Sequence, residues 1–126
     1  DALKYRQVLM DSIGGHMGAT SMIVKGRVSR PEDLAMHAKA IADLSKVVVH
    51  TFPESTKELK SDTLPVVWSE WAAFEVAAKA LTTNAEKLIE VVGKDATDMA
   101  AIGAQVGEVG KACGACHDKF RVDDDH

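Results

Sequence analysis

The chain has 126 residues, of which 46% are hydrophobic and 27% charged, a balance typical of one globular domain over residues 1–126. Its formal net charge of −4 argues against nucleic-acid binding, which requires a basic surface. No apolar run approaches the roughly 20 residues that span a bilayer. The chain starts at Asp1 without a signal-peptide pattern. A cytoplasmic protein and an exported one whose leader has been removed therefore both stay open.

The first predicted helix runs from about Leu3 to Val24. Apolar residues recur there at spacings of three and four, the period of one buried helix face, and Gly26 is expected to end the helix. Arg6 occupies an apolar position of this face, one turn before Met10, where a plain core would hold a hydrophobic residue. The predicted inward stripe comprises Leu3, Arg6, Met10, Ile13, Met17, Thr20 and Val24.

The second predicted helix begins near "SRPE" and ends around His50. Pro31 suits a first helical turn, and Ser29 with Glu32 resembles a capping box. Residues 51–64 show no sustained period, so we expect a long connection there, with a helical turn around 54–59. Connections of this length often contact a ligand.

The third predicted helix begins near Thr63–Pro65 and ends at Gly93. The fourth begins with Asp95 as N-cap and Asp98 at the third helical position. Each carries one apolar stripe at regular spacing. Four helices with one such stripe each predict an all-α, antiparallel four-helix bundle. The stripe of the fourth helix comprises Met99, Ile102, Val106, Val109, Cys113, Cys116 and Phe120.

The pattern C-x-x-C-H lies near the end of the fourth helix, with the only two cysteines at Cys113 and Cys116 and an imidazole at His117. Positions three and four apart share a helix face, so two thiols and an imidazole line one edge. This is the recognised haem-attachment pattern. Three alternatives are weaker: buried cysteines beside a chance histidine, a zinc site that lacks further ligands, and a redox dithiol without its βαβ context.

Four glycines precede the motif at spacings of four, three and four. Glycine inside a helix costs about 1 kcal/mol relative to alanine, so something flat or closely packed is expected against this face. A haem and a neighbouring helix both satisfy that expectation, and simple tolerance of glycine is the remaining interpretation. The four are Gly103, Gly107, Gly110 and Gly114.

With these motifs the chain resembles the class II c-type cytochromes, which comprise the cytochromes c′ and their low-spin relatives. The resemblance covers nearly the whole chain and is carried by "KYRQVLM", "LPVVW" and "VGKACGACHDKFR". It implies one covalently attached haem c with its iron, and export to the periplasm. The segment "DSIGGHMG" is more similar to the low-spin, methionine-ligated members than to typical cytochromes c′.

The resemblance also implies roles for individual residues. Cys113 and Cys116 would attach the haem, and His117 would bind its iron as a metal ligand. Met10 aligns with the family residue that covers the opposite face, as a second metal ligand or as a lid that does not bind; methionines on such stripes are also common core residues. Arg6 aligns with a propionate-binding arginine, the alternative being a snorkelling side chain. Further positions expected near the cofactor are Gln7 and Asp62 or Thr63.

Two functions follow from the resemblance, neither of them enzymatic. The first is a one-electron carrier with His117 and Met10 on the iron, which exchanges electrons with redox partner proteins. The alternative is a five-coordinate cytochrome c′ that binds nitric oxide or carbon monoxide beneath a non-ligating Met10. The first class predicts a monomer more often and the second a homodimer. The remaining histidines, expected to be exposed or capping residues, are His16, His37, His50 and His126.

Overall fold

A computed structural model describes residues 1–122, and His126 lies outside the described residues. The chain is helical apart from turns and a single β-bridge within this range. Short 3₁₀ turns connect the second helix to its neighbours, at Pro31–Asp33, Val48–Thr51 and Glu54–Thr56. The α-helices are α1 (Ala2–Val24), α2 (Leu34–Ser45), α3 (Val66–Ser69), α4 (Trp71–Lys94) and α5 (Met99–Phe120).

The four long helices form a closed ring of neighbours. Helix α1 packs against α2 and α5, and α4 packs against the same two helices from the other side. The predicted inward stripes meet in one core, which confirms the all-α four-helix bundle. Its most deeply buried large side chains include Leu34, Ile41, Phe74, Leu88, Ile102 and Val109.

Helix α1 matches its prediction closely. Gly26 follows the helix with φ +74, a left-handed conformation that only glycine adopts without steric cost, which explains the stop. The Arg27 backbone N–H returns to the Met22 carbonyl at 2.9 Å and closes the helix end. The chain can therefore reverse direction sharply into α2.

The predicted start and end of the second helix are wrong in detail. No side-chain capping bond forms at Ser29; instead Arg30 pairs with Asp33 at 2.9 Å and with Glu32 at 3.0 Å on the 3₁₀ turn. Two salt bridges therefore replace the capping box. Helix α2 ends at Ser45, before His50, and the chain tightens into a 3₁₀ turn.

The third bundle helix begins at Val66 with Pro65 as N-cap, as expected, but the predicted start of the fourth needs correction. Helix α5 begins at Met99, and its N-cap is Asp98 and not Asp95, because the Asp98 carboxylate accepts the Ala101 N–H at 3.0 Å. Asp95 instead accepts from Thr97 within the preceding turn. The third bundle helix is interrupted at Glu70, where φ −124 and ψ 49 leave the helical region, and this break separates α3 from α4.

The connection between α2 and α3 is fastened to the bundle at two points. Trp68 Nε1 donates to the Phe52 carbonyl at 3.0 Å. Near the end of α5, the Leu64 N–H donates to the Phe120 carbonyl at 2.9 Å, and the Val122 N–H donates to the Asp62 carbonyl at 2.7 Å. These bonds hold residues 61–64 beside the C-terminal turn of α5, which is the turn that follows the cysteine motif.

Candidate functional site

Two adjoining cavities lie between α1, α4 and α5, with volumes of about 460 and 240 Å³. Three side chains line both of them: Met10 from α1, and Cys116 and His117 from α5. The structure thus brings together every site residue that the sequence predicted. Arg6, Gln7 and Thr63 line the larger cavity, and Cys113 lines the smaller one.

Helix α5 supplies the two thiols and the imidazole. Cys113 and Cys116 are half-buried and free of any disulfide, while His117 is exposed. Burial raises the pKa of Cys113, and burial together with the neighbouring Cys113 raises the pKa of Cys116 to about 11. Both sulfurs therefore stay protonated thiols at neutral pH, a state that disfavours disulfide exchange and thiolate–metal bonds.

The two thiols and the imidazole fit the attachment of a c-type haem, and they do not fit a metal ion held by protein side chains alone. Within residues 1–122, no group of three or more histidine, cysteine or acidic side chains could hold a metal ion. Two thiols three residues apart can each form one thioether bond to the same ring, and the imidazole four residues after the first lies on the same face.

Met10 faces the motif from the opposite side of the cavities. It lies on the inward stripe of α1, half-buried, between the buried residues Arg6 and Ile13. Its thioether is flexible and polarizable, so it can fill space next to a flat group or donate sulfur to a metal. Met17, two turns further along α1, lines only the smaller cavity.

Arg6 is the most unusual residue of the site, because a cationic side chain is only 3% exposed. Its Nη1 donates to the Thr51 carbonyl and to Thr56 Oγ1, each at 3.2 Å, and its guanidinium carbon lies 4.3 Å from the centre of the Phe52 ring. Its Nη2 is buried without a hydrogen-bond partner among the described residues. Burial lowers the pKa of Arg6.

The unpaired, buried Nη2 of Arg6 would be satisfied by an anion in the adjoining cavity. Leaving a charged donor unsatisfied costs more than the about 1–3 kcal/mol lost at a neutral group, and a planar guanidinium pairs best with a carboxylate. Haem carries two propionate carboxylates, so the orphaned Nη2 fits this cofactor. The alternative of an Arg6 that snorkels to solvent does not fit, since its side chain is buried and its two hydrogen bonds hold it inside.

The rim of the larger cavity is polar. Gln7 is exposed on α1, and Thr63 is half-buried and forms the β-bridge with Arg121. Asp62 Oδ2 lies 3.8 Å from Arg121 Nη2. Asp62 and Thr63 both line the cavity, so this rim is held by backbone bonds to the end of α5.

The glycine face of α5 divides into two parts. A Cβ built on Gly103 would lie 3.1 Å from Val24 Cγ1, so this glycine permits close packing of α1 on α5. Gly110 lines the smaller cavity opposite Gly14 of α1. Helix packing therefore explains Gly103, while Gly110 leaves open space in the cavity wall, where a flat group would fit.

The sequence did not predict the residues that hold Arg6. Thr51, Phe52 and Thr56 are all buried, and they lie in the aperiodic connection. The one available signal was Arg6 itself, because a cation in an apolar stripe requires polar partners from elsewhere. Aromatic rings also close the far wall: Phe74 lies 4.7 Å from Phe52 and 5.2 Å from Phe120 between ring centres.

A four-helix bundle in which C-x-x-C-H borders a cavity beside a buried, partly unpaired arginine defines a c-type haem protein. Comparison with known proteins narrows this class. A family model described as "Cytochrome C'" matches residues 1–121. Cytochrome c′ of Rubrivivax gelatinosus is 38% identical over 125 residues, covering 96% of this chain and 94% of that protein. Cytochrome c′ of Rhodospirillum rubrum is 32% identical over 122 residues, covering 96% and 82%.

Solved structures agree. The crystal structure of the Rubrivivax gelatinosus protein superposes with a TM-score of 0.85 at 33% identity, covering 96% of this chain and 94% of that one. A ferrous variant of Alcaligenes xylosoxidans cytochrome c′ with bound NO gives a TM-score of 0.86 at 30% identity, covering 98% and 95%. The chain belongs to the cytochrome c′ family, and it carries covalently attached haem c with its iron.

The comparisons do not support the expected placement among the low-spin, methionine-ligated members, since the relatives above are cytochromes c′. No helix in the range 1–122 is long and apolar enough to cross a membrane. Of the four histidines expected to be exposed or capping residues, His50 is exposed, whereas His16 and His37 are half-buried and contact each other at 2.8 Å.

Proposed function

We propose that this protein is a five-coordinate cytochrome c′ that binds nitric oxide or carbon monoxide. Cys113 and Cys116 would hold the haem, His117 would bind its iron, and Met10 would cover the opposite face without binding the iron. The observation that carries the proposal is the similarity of the chain to cytochromes c′, and Met10 lies in the wall of both cavities, where it would cover the iron. A relative solved with NO bound supports the same function.

The haem, when bound, supplies an iron that changes oxidation state and takes up a diatomic ligand. The chain's own residues would do the rest. The imidazole of His117 would bind the iron on one face of the haem. The apolar side chains of Met10, Ile13 and Met17 would exclude water from the other face. A small neutral ligand can enter such a space, whereas charged molecules lose too much hydration to follow.

Arg6 would neutralise one propionate through Nη2, while Nη1 stays bound to Thr51 and Thr56. Gln7 and Thr63 would border the haem at the polar rim. We further infer that residues 1–126 form one domain, that the protein is exported to the periplasm, and that it exchanges electrons with redox partner proteins. It would have no substrate to convert, and a homodimer is expected.

The visible spectrum of the ferric holoprotein tests this assignment. We expect a high-spin spectrum in wild type and in Met10→Ala, with faster carbon monoxide binding in the variant because the lid is smaller. Met22→Ala is the matched control, since it removes an exposed methionine of α1 that lines neither cavity. A low-spin wild-type spectrum with a sulfur-to-iron band that Met10→Ala abolishes would establish instead the His117/Met10 electron carrier.

A further inference from the structure

The contact between His16 and His37 lies outside the haem site. His16 extends from the middle of α1 and His37 from the first turn of α2, and the two helices pack against each other. The two Nδ1 atoms are 2.8 Å apart, and the ring centres are 5.1 Å apart with planes inclined by 58°. Neither residue lines either cavity of the haem site.

An Nδ1-to-Nδ1 contact has a definite electronic requirement. One imidazole must hold its proton on Nδ1 and donate, while the other presents a lone pair on Nδ1. If both rings were doubly protonated, two N–H groups would oppose each other. Burial and, after it, the electrostatic influence of His16 lower the pKa of His37, so a neutral His37 is favoured at neutral pH.

We propose that His16 and His37 form a binding site for one divalent transition-metal ion of tetragonal geometry, foremost Cu²⁺ and next Ni²⁺. Both Nδ1 atoms donate their lone pairs to the ion, and water fills the remaining positions. The proton that rests on one Nδ1 in the metal-free pair moves to Nε2 of the same ring. The ion loses two waters, and no electron is transferred.

The distance between the two Nδ1 atoms favours metals of one coordination geometry. With metal–nitrogen bonds of about 2.0–2.1 Å, two ligands at a right angle are about 2.8–3.0 Å apart, whereas tetrahedral ligands are about 3.3–3.4 Å apart. The observed 2.8 Å in the metal-free pair therefore matches adjacent corners of a square-planar or octahedral shell, whereas a tetrahedral Zn²⁺ ion would require the two nitrogens to move apart by about 0.5 Å. Imidazole nitrogen in tetragonal geometry favours Cu²⁺ or Ni²⁺, and Cu²⁺ binds most tightly in the series.

Polar groups lie next to both histidines. Thr20 Oγ1 donates to the His16 carbonyl at 2.8 Å, within the packed part of α1. Asp33 lies one turn before His37 and favours positive charge there, although Arg30 shares that carboxylate through two bonds of 2.9 Å. Both imidazoles are half-buried, so solvent reaches the site while the rings keep their packing.

Titration of the haem-loaded protein with CuCl₂ at pH 7.5 tests the proposal. Calorimetry is expected to show one copper ion bound per protein chain. His16→Gln and His37→Gln are each expected to weaken the copper affinity at least tenfold. His50→Gln is the matched control, because His50 is exposed on the 3₁₀ turn after α2. Electron paramagnetic resonance spectra are recorded for copper-loaded and for EDTA-treated protein. The difference between the two spectra should show coupling of the copper to two nitrogen ligands.

Three results would overturn the proposal: binding unchanged in both glutamine variants, a copper signal with one nitrogen ligand, or Zn²⁺ bound more tightly than Cu²⁺. The wild-type resonance spectrum needs no variant, so it decides the case even if a glutamine variant fails to fold. Because the haem site shares no residue with this pair, the result stands whether or not Met10 binds iron.

Discussion

Arg6 Nη1 donates a hydrogen bond to Thr56 Oγ1 at 3.2 Å, and the two residues are 50 positions apart in the chain. Thr56 Oγ1 in turn donates to the Pro53 carbonyl at 2.7 Å, which fixes the hydroxyl as an acceptor for arginine. The aperiodic connection thereby orients, beside the cavity, the only buried cation among residues 1–122. This relationship leads to the first two predictions.

Thr56→Val should remove the acceptor while keeping the volume of the side chain. We expect the holoprotein to lose about 1–3 kcal/mol of unfolding free energy, because Arg6 Nη1 keeps only the Thr51 carbonyl as partner. Denaturant unfolding measures the loss. Thr56→Ser retains the hydroxyl and is the control; a serine variant as unstable as the valine variant would show that methyl packing, not the hydrogen bond, matters.

Arg6→Met should leave a haem propionate without its cation. Breaking a buried ion pair from one side costs about 3–5 kcal/mol, and loss of positive charge should also lower the reduction potential of the haem. Unfolding and redox titration measure the two effects. Lys4→Met removes an exposed cation from the rim of the same cavity and should change both far less. Equal effects in the two variants would contradict propionate pairing by Arg6.

Replacing both cysteines tests the covalent attachment. The double variant Cys113→Ser, Cys116→Ser should release all its haem into acidified acetone, because a serine hydroxyl does not form the thioether. Each single variant should keep the haem through the other sulfur. Haem retained by the double variant after extraction would show that attachment occurs elsewhere in the chain.

The histidine pair makes stability depend on pH. Burial and His16 lower the pKa of His37 below its ordinary value of 6.5, so the unfolded chain binds more protons than the folded one. The contribution of this histidine pair to the unfolding free energy is therefore present above about pH 6.5 and decreases as the pH falls below that value. Asp33 opposes this decrease, and Arg30 limits its effect.

His37→Gln should therefore flatten the decline in melting temperature between about pH 7 and 5, where unperturbed histidines titrate. His50→Gln should leave the profile of the wild type. Parallel profiles for wild type and His37→Gln would show that the pair does not control acid stability.

The two classes of glycine on α5 predict opposite responses to alanine. Gly107→Ala meets no atom within 4 Å and should stabilise the holoprotein by about 0.5–1 kcal/mol, the usual helix preference. Gly103→Ala would crowd Val24 at 3.1 Å and should gain less or lose stability. Adding Val24→Ala to Gly103→Ala should make the alanine at 103 more favourable; an equal response in the two backgrounds would argue against close packing there.

Local pattern was enough to predict the bundle and most of its buried faces. The stripe of α1 from Arg6 to Thr20, and that of α4 from Phe74 to Val92, are inward as their period requires. Helix ends were predicted less well, because a cap depends on one or two side-chain bonds. Asp98 rather than Asp95 caps α5 for that reason, and two salt bridges of Arg30 replaced the expected bond of Ser29.

By itself the sequence determined the helical period, the bundle and the thiol–imidazole edge of Cys113, Cys116 and His117, because each depends on spacing within one helix. Only the tertiary structure decided which distant side chains meet. It buried Arg6 among Thr51, Phe52 and Thr56 and brought His16 to His37. The physical reason is that such contacts depend on how the helices pack and on the path of an aperiodic loop. Neither leaves a periodic pattern in the sequence from which it could be predicted.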